Sequence, residues 1–193
     1  MIALNGEQAK AQRQGLKVNV AILGAGGIAH AMATTLVRMA GDPRYSDLVA
    51  PYAVAARDKD RASAFAKQYG FPVAYGSYED LLADPKVDLV YIATPHSLHS
   101  EQGIACLKAG KNILVEKSFA ANTSPADDPL DVAHQTGLLC PLALWTRYLP
   151  SRRLISHLLA TRSRGLVQSV FPHPFYPLAT TPRLCTPPTP ARS

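Results

Sequence analysis

Five short stretches carry residue types whose spacing suits chemistry. The first is Gly24-x-Gly26-x-x-Ala29, set between an apolar run and an amphipathic one. Gly24 permits a tight turn, Gly26 lets a dinucleotide pyrophosphate approach the backbone, and small Ala29 lets a helix pack close to a strand. A helix starting there offers free N–H groups to the phosphates. The ordinary alternative is a merely tight turn. The second stretch is Ala55-Ala56-Arg57-Asp58. An acid at such a strand end bonds a ribose 2′-hydroxyl, whereas an Arg nearby suits a 2′-phosphate. Here no acid holds the last strand position, and Asp58 is placed to cap the next helix. Arg57 therefore favours NADP over NAD, unless it is simply a solvated surface side chain.

The third stretch is Thr94-Pro95-His96-Ser97-Leu98-His99 and the fourth is Glu116-Lys117. Each follows an apolar run, which places it at the carboxyl edge of a sheet, where open α/β folds bind ligands. Lys117 could hydrogen-bond a substrate hydroxyl or assist proton transfer there. A Glu-Lys pair on a surface loop is the ordinary alternative. Taken alone, a His in a first helical turn, such as His99, is more often a surface residue than a catalyst. Trp145-Thr146-Arg147-Tyr148 is the fifth stretch. Its spacing does not distinguish it from a core Trp beside an exposed Arg.

The elements that must position these residues alternate along the chain. Val18 to Leu23 reads as a buried strand, and Ile28 to Met39 as a helix stopped by Gly41-Asp42-Pro43. Leu48 to Ala56 is a second strand, and Asp58 to Tyr69 a second helix capped by Asp58. Pro72 to Tyr75 is a short strand, and Ser77 with Asp80 opens a short helix in the manner of a capping box. Val87 to Ala93 and Asn112 to Val115 are strands, with a helix from Ser97 to Ala109 between them, capped by Ser97 and stopped by Gly110. A helix ending at Thr136 is held by Pro125 and Pro129 to a start near the second proline. Leu138 to Leu142 reads as an edge strand, since Pro141 argues against a central one. Ser151 to Ala160 reads as a helix with Leu154, Ile155, Leu158 and Leu159 on one face. This alternation predicts an α/β fold, a Rossmann-type doubly wound parallel sheet.

Composition bounds the rest. The 193 residues suffice for one domain and part of a second, and 47% hydrophobic with 18% charged is ordinary for a globular protein. No apolar run is long enough to cross a membrane. Cys106, Cys140 and Cys185 have no paired spacing, which points to a reducing, cytoplasmic setting without a zinc site. The net charge of +6 comes from the last third: residues 132–193 hold seven Arg and no acid. No basic-aromatic pattern accompanies it, so specific nucleic-acid binding is not expected. The expected organisation is a disordered lead-in over 1–17, a dinucleotide-binding domain over 18–142, a linker helix over 143–160, and a disordered Pro/Arg-rich tail over 161–193.

Taken together, AILGAGGIAHAMATTL, VAARDKDRASAFAKQYG, YGSYEDLLADPKVDLVYIATPHSLH, LKAGKNILVEKSFA and ALWTRYLPS resemble the Gfo/Idh/MocA oxidoreductase family, in its dihydrodiol and xylose dehydrogenase branch. The resemblance covers about Val18 to Ala160. It implies hydride transfer between a nicotinamide, here NADP, and a hydroxyl carbon of a sugar or diol, and a homodimer in full-length relatives. It implies that Gly24, Gly26, Gly27 and Ile28 form the phosphate-binding turn and that Arg57 meets the 2′-phosphate. It places Thr94, Pro95 and His99 beside the nicotinamide, Glu116 and Lys117 in a Glu-Lys-Pro motif whose Lys contacts substrate, and Trp145 and Arg147 in a segment returning to the cofactor side.

The departures are specific. Ser118 stands where the motif has Pro, which loosens a turn that Pro would pre-set. Pro125 and Pro129 interrupt a helix that is normally proline-free. After Ala160 the family's second α/β domain is expected to begin, and the sequence instead runs TRSRGLVQSVFPHPFYPLATTPRLCTPPTPARS. The family's Asp-x-Gly-x-Tyr or -His motif does not occur, and His173 and Tyr176 do not match it. A chain truncated after the Rossmann domain, or altered by a shifted frame or splice near Thr161, is the expectation.

Overall fold

Val18–Leu23 forms strand β1 because its apolar run, interrupted only by Asn19 near the start, must be covered on both faces, and Val20–Leu23 are buried. The computed structural model describes residues 17–118 and 128–161, so the lead-in and tail expectations lie outside the described residues. The chain divides into two units, residues 1–145 and 146–193. In the first, α1 (Gly27–Gly41), β2 (Val49–Ala55), α2 (Lys59–Tyr69), β3 (Val73–Tyr75) and α3 (Tyr78–Ala83) follow β1. Then come β4 (Leu89–Ile92), a 3-10 turn (His96–Leu98), α4 (His99–Lys108), β5 (Asn112–Val115) and α5 (Pro129–Thr136). A second 3-10 turn, Trp145–Tyr148, falls across the unit boundary. In the second unit, α6 (Pro150–Ala160) buries none of its residues, and Leu154, Ile155 and Leu159 are exposed.

The five strands pair in parallel in the order β3-β2-β1-β4-β5. This is the strand order of a Rossmann sheet, with its topological switch between β1 and β4. Side chains alternate across β1. Val20 and Ile22 join Ala29, Ala33, Leu36, Phe65 and Tyr91 on one face, while Ala21 and Leu23 join Leu81, Cys106, Leu107 and Ile113 on the other. Helices α1 and α2 cover the first face, and α3, α4 and α5 the second. Pro51, which has no N–H to give, marks a slip in the β1–β2 register, after which Ala21 faces Ala53.

Most element expectations hold to within two residues, including the helix start near the second proline, and two change. Ser97 does not cap α4: a 3-10 turn precedes the helix, and its N-cap makes no side-chain bond. The segment after α5 forms one isolated bridge, Val115 with Leu142, where an edge strand was expected over 138–142. Even so, Ile113 N–H donates to Leu139 O and Ala143 N–H to Val115 O, so this segment does line the β5 edge. The helix ending at Thr136 starts at Pro129, capped by the Asp128 carboxylate on Leu130 N–H. Among the described residues, no helix is long and apolar enough to cross a membrane.

Candidate functional site

The sheet delivers the singled-out residues of the first unit to one edge. Ladder bonds run to the ends of the strands: Gly24 N–H donates to Ala55 O (2.8 Å), Ala93 N–H to Leu23 O (2.9 Å) and Glu116 N–H to Ile92 O (3.1 Å). Gly24, Arg57, Thr94 and Glu116 therefore leave the sheet side by side, at its carboxyl edge.

Gly24 has φ +101°, and an added Cβ would lie 3.0 Å from Thr94 Cγ2 and 3.1 Å from Ala93 O. Only glycine fits both conditions. Gly26 is the N-cap of α1 with no side-chain cap, and the first turn contains no acid. The opening N–H groups of α1 thus lack side-chain partners and carry the positive end of the helix dipole. A Cβ on Gly27 would meet nothing within 4 Å, so the space above the helix start is open. Ile28 is half exposed beside it, and Ala29 is fully buried against the sheet. These features fit a pyrophosphate received by backbone N–H groups.

At the end of β2, Ala56 is buried and Arg57 is exposed. Asp58 caps α2, its Oδ1 accepting from Asp60 N–H (2.9 Å) and Arg61 N–H (3.4 Å). Arg57 and Arg61 both act on Tyr78: burial pushes its phenol up, while the two guanidinium charges pull it down. Of the two, Arg61 touches the turn, through the Ala25 carbonyl oxygen.

Thr94 is buried, with its hydroxyl donating to Gln102 Oε1. Pro95 is exposed and opens the 3-10 turn. His99 is not the surface residue that its first-turn position suggests: it is fully buried. Its Nε2 lies 2.9 Å from Thr94 O and its Nδ1 2.9 Å from Ser118 O. Both partners are carbonyl oxygens, which only accept, so the ring donates wherever a nitrogen carries a proton. It ties the loop after β4 to the turn after β5.

Glu116 is 8% exposed. Its Oε1 accepts from the Tyr91 hydroxyl at 2.5 Å, and its Oε2 accepts from Lys117 N–H at 3.2 Å. Burial first, and then the neighbouring carboxylate, push the Tyr91 phenol far up, so the hydroxyl stays a donor. Lys117 is exposed at the edge, and the Lys117–Ser118 peptide is cis.

Trp145 closes the first unit with 62% of its surface exposed, which removes the alternative of a core Trp. Arg147 belongs to the second unit and is also exposed. Among the described residues, no cluster of His, Cys, Asp and Glu could hold a metal.

Sequence reasoning missed Tyr91, Gln102 and Arg61. Tyr91 had a usable signal, because a hydroxyl in a buried strand needs a partner. Arg61, whose guanidinium reaches the Ala25 carbonyl, sits in the first turn of a helix whose cap was identified, but its target lies in another βα unit.

A parallel sheet in this order, with a glycine turn against an uncapped helix start, defines a dinucleotide-binding Rossmann unit. Residues 18–143 match the Gfo/Idh/MocA oxidoreductase family, described as an NAD-binding Rossmann fold, and the chain belongs to that family. The trans-1,2-dihydrobenzene-1,2-diol dehydrogenase of Bos taurus is 41% identical over 132 residues, covering 68% of this chain and 38% of the bovine one. An NAD-binding oxidoreductase from Klebsiella pneumoniae superposes with a TM-score of 0.69 at 28% identity, over 76% of this chain and 39% of that one. A 3-ketoreductase from Actinomadura kijaniata, solved with TDP-benzene and NADP, gives 0.67 at 29% identity, over 75% of this chain and 44% of that one. The chain spans less than half the length of each of these relatives. A nicotinamide dinucleotide is common to this group, and local residues choose between NAD and NADP.

Proposed function

We propose that this chain binds NADP in preference to NAD at the carboxyl edge of its sheet. There it serves hydride transfer between the nicotinamide and a hydroxyl-bearing carbon of a sugar or dihydrodiol. One observation carries the reading. The start of α1 is free of capping side chains and acids, and beside it exposed Arg57 stands where an NAD-selective unit places a carboxylate.

In this reading Gly24, Gly26, Gly27 and Ile28 receive the pyrophosphate, and Arg57 pairs with the 2′-phosphate. Thr94 and Pro95 border the nicotinamide, and His99 fixes their loop from behind. Bound NADP supplies or accepts the hydride at the nicotinamide C4. Lys117, exposed at the same edge, orients the substrate hydroxyl and assists its proton transfer. Glu116 holds the turn that presents Lys117. Trp145, at the end of the first unit, borders the cofactor side. The substrate class comes from the name of the bovine relative, a diol dehydrogenase.

The test is fluorescence titration of the full chain with NADPH and NADH, followed by turnover assays with dihydrodiols and pentoses. NADPH is expected to bind at least tenfold tighter. Arg57→Gln should weaken NADPH by about 10–100-fold, the worth of hydrogen bonds to a charged group, and leave NADH nearly unchanged. Equal affinity of the wild-type chain for both dinucleotides overturns the NADP preference. Turnover at about 1 per second or more marks an enzyme in its own right. Binding without turnover marks a coenzyme-binding module whose chemistry needs more chain.

A further inference from the structure

The turn between β1 and α1 is held from outside by a residue of the next helix. Arg61 reaches across from α2, its Nε 3.1 Å and its Nη2 2.7 Å from the Ala25 carbonyl oxygen. Ala25 is buried and lies between Gly24, at φ +101°, and the extended Gly26. We infer that Arg61 is a positioning residue for the phosphate turn, setting the geometry in which any nicotinamide dinucleotide is received, with or without a 2′-phosphate. The inference rests on the assignment of residues 24–28 as the pyrophosphate site.

The argument is geometrical. The Ala25 carbonyl and the Gly26 N–H belong to one planar peptide, so they point in opposite directions. Drawing the carbonyl towards α2 turns the Gly26 N–H the other way, away from Arg61. Gly26 is the N-cap of α1, where the free N–H groups gather. One side chain therefore fixes the direction of a donor in the turn before any ligand arrives, which lowers the ordering cost of binding. The contacts are charge-assisted, and the fork engages one oxygen through two nitrogens.

Arg61 is itself held in place. Its backbone N–H and that of Asp60 are both taken by the Asp58 cap, which fixes the first turn of α2. Among the described residues the ion pair is Arg44 with Asp42, so no carboxylate draws Arg61 elsewhere. Arg57 is placed differently: it is exposed at the strand end and has no hydrogen bond among the described residues. The two arginines divide the labour. Arg57 discriminates between dinucleotides, and Arg61 shapes the turn common to both.

The experiment measures NADPH and NADH affinities of the full chain carrying Arg61→Gln, Arg61→Lys or Arg57→Gln, with an unfolding curve for each. Arg61→Gln is expected to weaken both dinucleotides by about tenfold, keeping their ratio, because a charge-assisted contact is lost in both complexes. Its unfolding midpoint should fall modestly, since the Ala25 carbonyl loses its donor while the Arg61 side chain itself lies at the surface. Arg61→Lys keeps the charge but lacks the fork, and should recover less than half of the loss. A loss confined to NADPH would make Arg61 a second 2′-phosphate ligand and overturn the inference. Full recovery by lysine, or no loss at all, would overturn it too. A wild-type chain that binds neither dinucleotide would instead remove the pyrophosphate assignment, and that is visible before any variant is made.

Discussion

Replacing Gly24 by alanine is expected to destabilise the first unit by about 2–4 kcal/mol and to abolish dinucleotide binding. Two costs coincide. At φ +101° an L side chain is strained whatever space surrounds it. The new Cβ would also press on Thr94 Cγ2 at 3.0 Å and on the Ala93 carbonyl at 3.1 Å. Neither neighbour retreats easily. Ala93 is held by its N–H bond to Leu23 O, and Thr94 by its bonds to Gln102 and His99. Gly24 in turn is tied to Ala55, so relief on one side pulls on strands β1, β2 and β4 together. Denaturant unfolding followed by tryptophan-independent circular dichroism measures the loss, and a loss below about 1 kcal/mol would contradict the account. Gly27→Ala provides the contrast. Its methyl group meets nothing within 4 Å, and alanine gains up to about 1 kcal/mol over glycine inside a helix. That variant should be as stable as wild type or more so, yet bind dinucleotide less tightly, if the open space above the turn receives the phosphates as proposed.

What could be read from the sequence was local, and what was missed was long-range. The turn at Gly24, the caps by Asp58 and Ser77, and the five strands each depend on residues within a few positions of one another. Their signals survive folding because the same short segment makes and uses them. The parallel pairing followed from alternation, since crossover helices must cover both faces of the sheet. By contrast, the burial of His99 depends on Ser118, 19 residues away, and the inward turn of Glu116 depends on Tyr91, 25 residues away. Arg61 meets Ala25 across 36 residues. None of these pairs has a spacing signature, because the sheet brings them together only after the strands have paired. The failure at Ser97 has another cause. A Ser before an amphipathic run is a sound cap signal, but the chain entering from Pro95 first makes a 3-10 turn, and that shifts the helix start to His99.

His99 shows how much the long-range contacts matter, and His99→Leu is expected to cost about 2–3 kcal/mol. Leucine is similar in bulk, so the fully buried site should stay filled and the effect should isolate hydrogen bonding. In the Nε2–H tautomer the Thr94 carbonyl, in a buried residue, would lose its imidazole donor, and an unpaired buried acceptor carries its full desolvation cost. The Ser118 carbonyl belongs to an exposed residue and can turn to water, so most of the cost falls at Thr94. The larger consequence is positional. Without the ring, the loop after β4 and the turn bearing Lys117 are no longer joined, although Tyr91 still holds Glu116. Hydrogen exchange should therefore quicken at amides of residues 96–98 and 117–118 and remain slow in β1. His99→Gln, which keeps an amide donor, should recover part of the stability. If His99→Leu instead matches wild type in both stability and exchange, the two carbonyl contacts contribute nothing to the edge, and the lysine turn must be held by Glu116 and Tyr91 alone.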